Sequence, residues 1–143
     1  MNNALSYAAP LGRLLVGGFF ALAGFNKIGG YAGTQGYMEA MGVPGMLLPL
    51  VILLELGGGL ALILGWQTRL VAAAIAGFTV IAAFLFHADF SDQMQSILFM
   101  KNIAIAGGLL AFVAMGPGAL ALDNRAATCP WGLARPEQTE FRR

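Results

Sequence analysis

The sequence predicts an all-α membrane protein: a four-transmembrane-helix bundle with both termini cytoplasmic and a short interfacial helix between helices 1 and 2. Three observations predict it. Of 143 residues, 58% are hydrophobic and 10% charged, with mean hydropathy +0.73, where ordinary globular domains carry about 25% charged residues. A chain of this size cannot hide so much apolar surface inside itself, so part of its solvent is lipid. The apolar residues fall into four runs of roughly 17–20 residues, each enough to cross ~30 Å of hydrocarbon at ~1.5 Å per residue. Between the runs stand breakers: Gly29-Gly30, Gly65-Trp66-Gln67-Thr68 and Gly116-Pro117-Gly118. In lipid every backbone amide must bond within its own segment, so the runs are helices.

The first helix is expected from about Ala9 to Ile28. MNNALSYAAP before it lacks a positive n-region, so no cleavable signal is expected. Arg13, Gly17, Gly24 and Lys27 fall on one face of this helix. Residues 29–44 predict a short helix, Gln35 to Met41, with Thr34 as N-cap and Gly42 at its end. Tyr31, Tyr37, Met38 and Met41 suit a segment lying in the headgroup layer.

The second helix is expected from Met46 to Gly65, with Glu55 on the face of Gly58, Gly59 and Leu62. Its Gly57-Gly58-Gly59 has no strand before it and no lysine after it, which makes it a packing motif and no phosphate loop. The third helix is expected from Leu70 to Phe86, aligning Arg69, Ala73, Ala76, Val80 and His87. The acidic connection HADFSDQMQS follows, with Asp89 or Ser91 to cap the fourth helix. That helix is expected from Ile97 to Met115 and aligns Lys101 with Ala104, Ile105 and Gly108. Small residues mark where membrane helices approach closely, so each charge on such a stripe is expected to face inward. The bundle should occupy residues 1–123. A polar cytoplasmic tail, residues 124–143, carries Cys129, which is expected to be inert.

Charge sets the orientation. Arg13, Arg69, Arg125, Arg135, Arg142 and Arg143 fall on the side of the termini, and only Lys27 and Lys101 on the other. Positive-inside then places both termini in the cytoplasm, with Arg13 and Arg69 as anchors snorkelling to the headgroups.

Composition also limits the chemistry. A net charge of +1 offers no basic field for nucleic acid, one cysteine forms no internal disulfide or CxxC pair, and one histidine cannot supply both ligands of a bis-histidine haem. Neither haem nor iron–sulfur cluster is expected, and no metal ligand set. What remains is Glu55, about 9–13 Å below the outer end of its helix at ~1.5 Å per residue. A charge in hydrocarbon needs a partner. Lys101 is the expected first partner and Lys27 the second. Together Lys27, Glu55, His87 and Lys101 form one outward-facing level, flanked by Asn26 and Asn102. The catalytic candidates are Glu55, His87 and Lys101, and the substrate-binding candidates Lys27, Asn26 and Asn102. A glutamate, two lysines and a histidine exceed what one structural ion pair needs, which favours a polar pocket open toward the outer leaflet.

Several stretches resemble the DoxX-like family of small four-helix membrane proteins. They are RLLVGGFFALAGFNK at Arg13 to Lys27, GVP at Gly42 to Pro44, ELGGGLALILGWQTR at Glu55 to Arg69, His87, and KNIAIAGGLL followed by GPGALALD at Lys101 to Asp123. The resemblance implies a four-helix bundle in a bacterial-type cytoplasmic (inner) membrane. It also implies association with membrane oxidoreductase systems acting on quinones, catechols or thiols. The cysteines of thiol-dependent four-helix quinone reductases are absent from these helices.

The expected function is therefore a subunit or accessory component of a membrane oxidoreductase. A lysine would polarise a quinone carbonyl, and Glu55 or His87 would relay the accompanying proton. Electrons would come from a redox partner protein or a bound flavin; a homo-oligomer is a further expected partner. Two other readings use the same residues: a non-catalytic scaffold with the charges as internal glue, and a small transporter.

Overall fold

The computed structural model describes residues 7–126, and among them every regular element is helical. Four helices are long and apolar enough to span a membrane: α1 (Ala8–Gly29), α3 (Gly45–Leu64), α4 (Thr68–Phe86) and α5 (Gln93–Met115). Two short ones flank them, α2 (Tyr31–Ala40) and α6 (Leu122–Ala126). Up-and-down connections give the bundle two ends. The proximal end holds the start of α1, the α3–α4 turn and α6; the distal end holds α2 and the α4–α5 connection.

Each boundary has a local cause. Pro10 falls in the first turn of α1, where a missing amide hydrogen removes no helical bond. Pro49 is accommodated in the same way, because α3 opens as a tight Gly45–Leu47 turn and becomes α-helical only at Leu48. α3 then widens into a π turn over Leu53–Gly57 and resumes as α-helix at Gly58. It stops at Gly65, whose φ of +68° puts it in the left-handed region, with the Trp66 amide donating to Ala61 O at 2.9 Å. α5 is capped by Asp92, whose side chain accepts from the Met94 amide at 2.9 Å.

Helices pair through their smallest residues. A Cβ on Gly17 would lie 2.6 Å from Gly59 O, and one on Gly24 the same distance from Leu56 N. α1 and α3 therefore meet backbone to backbone. Gly58, one residue before Gly59, faces α4, where a Cβ would lie 2.9 Å from Ile75 Cδ1. α4 and α5 form the other close pair. The common core gathers Phe20, Leu62, Ile75, Ala76, Leu109 and Phe112 toward the proximal half.

The chain after α5 folds back and fastens that end. Arg13 is 1% exposed and its Nη2 donates to Ala119 O (3.2 Å) and Leu120 O (2.9 Å). Asp123 accepts from the Gln67 and Thr68 amides at 2.7 and 2.9 Å, capping the start of α4. Burial pushes the Asp123 carboxyl up, but those amides and the nearby Arg13 charge outweigh it and hold the group below the ordinary carboxylate range.

The four spans agree with the sequence to within a turn, while several local expectations are corrected. The short helix begins at Tyr31, and Thr34 lies inside it with its hydroxyl donating to Gly30 O. Met38 is buried, while Tyr31, Tyr37 and Met41 are exposed. Asp92 caps α5, while Asp89 accepts from Ser91 in the preceding turn. Arg13 is a buried clamp in place of a snorkelling anchor, because the carbonyls it holds lie inside the proximal end. On α4 the buried face runs through Thr68, Ala72, Ile75, Ala76, Thr79 and Ala83, leaving Arg69 and Ala73 exposed. On α5 it runs through Ala106, Leu109 and Phe112, leaving Lys101, Ala104 and Gly108 exposed. The buried faces of α4 and α5 combine alanines with Ile75, Leu109 and Phe112, and the Ala104–Gly108 stripe of α5 lies outside them. The expectations for the tail beyond Ala126, Cys129 included, lie outside the described residues.

Candidate functional site

Packing is uneven along the bundle axis, and the site follows from that. α3 packs on α4 through Gly58–Leu64 and the π turn, while the distal part of α3 parts from it. The core fills the proximal half. In the distal half a cleft of about 460 Å³ opens among α1, α2, α3 and α4, within the size range of small-molecule sites.

Its walls are apolar: Phe20 and Ala23 from α1, Val51 and Leu54 from α3, Phe78 and Ala82 from α4. The polar groups that reach it are few. Lys27 and Glu55 line it and form an ion pair, Nζ to Oε2 at 2.7 Å, with side chains 28% and 7% exposed. Glu55 is brought there by the π turn, a local widening that recurs at functional sites because it re-aims one side chain without ending the helix. Lys27 is brought there by its place on the α1 face that begins at Gly17 and Gly24. Thr34, Tyr37, Thr79, His87 and Asn102 complete the polar lining.

His87 ends α4, and its Nδ1 lies 2.8 Å from Gln95 Oε1. An amide oxygen only accepts, so in this contact Nδ1 donates. A neutral imidazole held this way can take a proton on one nitrogen while the other stays anchored.

The structure thus brings together Lys27, Glu55, His87 and Asn102. It leaves out two sequence candidates. Lys101 is exposed on α5, its Nζ 6.0 Å from the centroid of the Phe19 ring. The partner of Glu55 is accordingly Lys27, the second choice of the sequence reading. Asn26 is exposed at the end of α1 and does not line the cleft. The roof was missed from sequence: α2 supplies Thr34, Tyr37 and Met38, and Tyr37 stacks on Phe86 with ring centroids 5.6 Å apart. The only sequence signal for it was amphipathic spacing in a stretch that equally suits the headgroup layer.

The cleft sets an ammonium, a carboxylate, an imidazole and an amide beside apolar walls. An ammonium donates to a carbonyl or phenolic oxygen. A carboxylate and an imidazole hold or receive the proton that such an oxygen exchanges.

Residues 8–88 match the family model described as DoxX. The chain is 56% identical over 112 residues to the inner membrane protein YqjF of Escherichia coli (strain K12), covering 78% of this chain and 86% of that one. It is 33% identical to the inner membrane protein YphA of the same organism, over 80% of this chain and 87% of that one. A more distant relative, 27% identical over 82% of this chain and 90% of its own length, is named "Putative oxidoreductase CatD", of Bacillus subtilis (strain 168). No solved structure matches the chain. Spans and relatives together make this a multi-pass inner-membrane protein.

Proposed function

The chain belongs to the DoxX family of integral membrane proteins, and we propose that it serves a membrane oxidoreductase system by binding a quinone- or catechol-class molecule in its distal cleft. One observation carries the reading: an otherwise apolar cleft ends on a Lys27–Glu55 ion pair, with His87 and Asn102 in the same lining. A charge pair used only to lock helix register has no need of a cavity beside it. The name of the distant Bacillus relative supports the redox direction.

In this reading Lys27 Nζ donates to one ligand oxygen and draws electron density toward it. Glu55 fixes the ammonium and is the nearest proton-holding group, while His87 Nε2 exchanges protons near the distal end. Two-electron reduction of a quinone to a hydroquinone takes up two protons and two electrons. The residues lining the cleft handle the protons, and a redox partner or its flavin supplies the electrons. "Subunit" is therefore the apt description. Lys101 and Asn26 have no direct part.

The test is equilibrium binding of a ubiquinone analogue to the purified protein in nanodiscs, for wild type, Glu55→Gln and Lys27→Met. Saturable binding, weakened about tenfold or more by either change (1.4 kcal/mol per decade), is expected. Absence of binding in a folded wild type would shift the reading to a non-catalytic scaffold whose ion pair is purely structural.

A further inference from the structure

The cleft is closed in one direction and open in another. Toward the distal end α2 roofs it: Met38 is buried, and Tyr37 lies flat on Phe86. The roof is seated closely, because a Cβ on Gly45 would overlap the side chains of Gln35 and Glu39. Sideways no such cover is present among the described residues. Beyond the π turn the distal halves of α3 and α4 separate, and residues of both helices line the cleft and also face outward. Leu50 is 62%, Ile81 59% and Leu85 46% exposed. A side chain that lines a cavity while half exposed is the lip of an opening, and here the lips are aliphatic.

We propose that the α3–α4 seam is a lateral portal, and that the ligand is a membrane-dissolved amphiphile. Its ring sits against Lys27 and Glu55, and its alkyl or isoprenoid tail leaves between Leu50 and Ile81 into the lipid. This rests on the function proposed above and names the substrate class of the same site. Volume decides against a long tail held inside. The cleft of about 460 Å³ takes a substituted ring, being in the lower half of the ~300–1,000 Å³ typical of small-molecule sites. Chemistry decides between seams. On the α1–α5 side the half-exposed lining residue is Phe19, with the Lys101 ammonium 6.0 Å from its ring centroid, and α5 lends the cleft only Asn102. A charged lip is a poor exit for a hydrocarbon chain, and an aliphatic one a good exit.

The experiment compares a decyl-tailed benzoquinone with its tail-less parent on the full chain in nanodiscs, for wild type, Leu50→Trp and Ile81→Trp. These positions are more than half exposed, so a tryptophan there has room outside the packed core. Narrowing the portal is expected to weaken the tailed ligand about tenfold or more while the tail-less ligand changes less than about twofold. Equal effects on both ligands, or on neither, would overturn the portal. A second readout needs no variant: a tailed benzoquinone with a photoreactive group at the tail terminus should label the distal halves of α3 and α4. Labelling of the α1–α5 seam around Phe19 and Lys101 would overturn the assignment. Failure of wild type to bind either quinone would instead remove the functional reading on which the portal rests.

Discussion

Lys27 and Glu55 are two charges that hydrocarbon tolerates only together. At 2.7 Å and largely enclosed, each supplies the other's counter-charge, and removing one partner of a buried pair typically costs ~3–5 kcal/mol. Lys27→Met should therefore destabilise the protein by a few kcal/mol, read as a lower thermal midpoint in detergent, while Lys27→Met with Glu55→Gln should recover much of the loss. Equal loss in the single and the double variant would mean the pair has no mutual dependence. Asp123 makes a second prediction at this scale, with a definite sign. Its folded value is held below the ordinary carboxylate range, so its contribution is complete above the unfolded value of ~3.9. It is lost as pH falls through the lower folded value. The stability gap between wild type and Asp123→Asn should thus be constant near neutrality and shrink in acid. A gap unchanged across that range would show that the carboxylate charge contributes nothing.

At the scale of elements, what the sequence revealed depends on which side chains make each contact. The α1–α3 pair was legible, because Gly17, Gly24 and Gly59 are small for a reason that close backbone approach alone explains. Gly59→Leu should therefore force α1 and α3 apart, destabilising by roughly 1–3 kcal/mol or more. Gly107→Leu, where a Cβ would meet nothing within 4 Å, should be nearly neutral; equal losses in a thermal-stability assay would refute the assignment. The α4–α5 pair was not legible from the stripe of small residues that α5 presents in sequence. Lipid accepts Ala104 and Gly108 as readily as a neighbouring helix does, so the small stripe on α5 marked no contact, and Lys101 was placed inward with it. The π turn was hidden too, since nothing in LLELG distinguishes a widened turn from a regular one. Yet that turn is part of what aims Glu55. The ion pair was thus half legible: the acid was found and its need for a cation was found, but its cation lay on the helix that glycines hold closest. Arg13 was misread because its partners are the carbonyls of Ala119 and Leu120, more than 100 positions away in sequence.

At the scale of the whole molecule, the bundle is fastened at one end and hollow at the other, and orientation decides which compartment each end meets. The proximal end carries Arg13, Arg69 and Arg125, with Arg135, Arg142 and Arg143 in the sequence beyond; the distal connections carry Glu39, Asp89 and Asp92. Burial changes how these cations count. Arg13 is enclosed and clamped, and Lys27 is neutralised by Glu55, so neither is a strong topological signal. The bias then rests on Arg69, Arg125 and the later arginines against Lys101, and it still points the termini to the cytoplasm. A C-terminal green fluorescent protein fusion should be bright and a C-terminal alkaline phosphatase fusion inactive. Phosphatase inserted after Asp89, in the α4–α5 connection, should be active. In that orientation the α2 roof and His87 face the periplasmic side, and under the proposed function protons exchanged at the cleft would communicate with that compartment and a redox partner would reach the ligand from there or through the lipid. The opposite fusion pattern would turn the cleft toward the cytoplasm, and with it the side from which protons and electrons are drawn, while leaving the ion pair and the lateral seam unchanged.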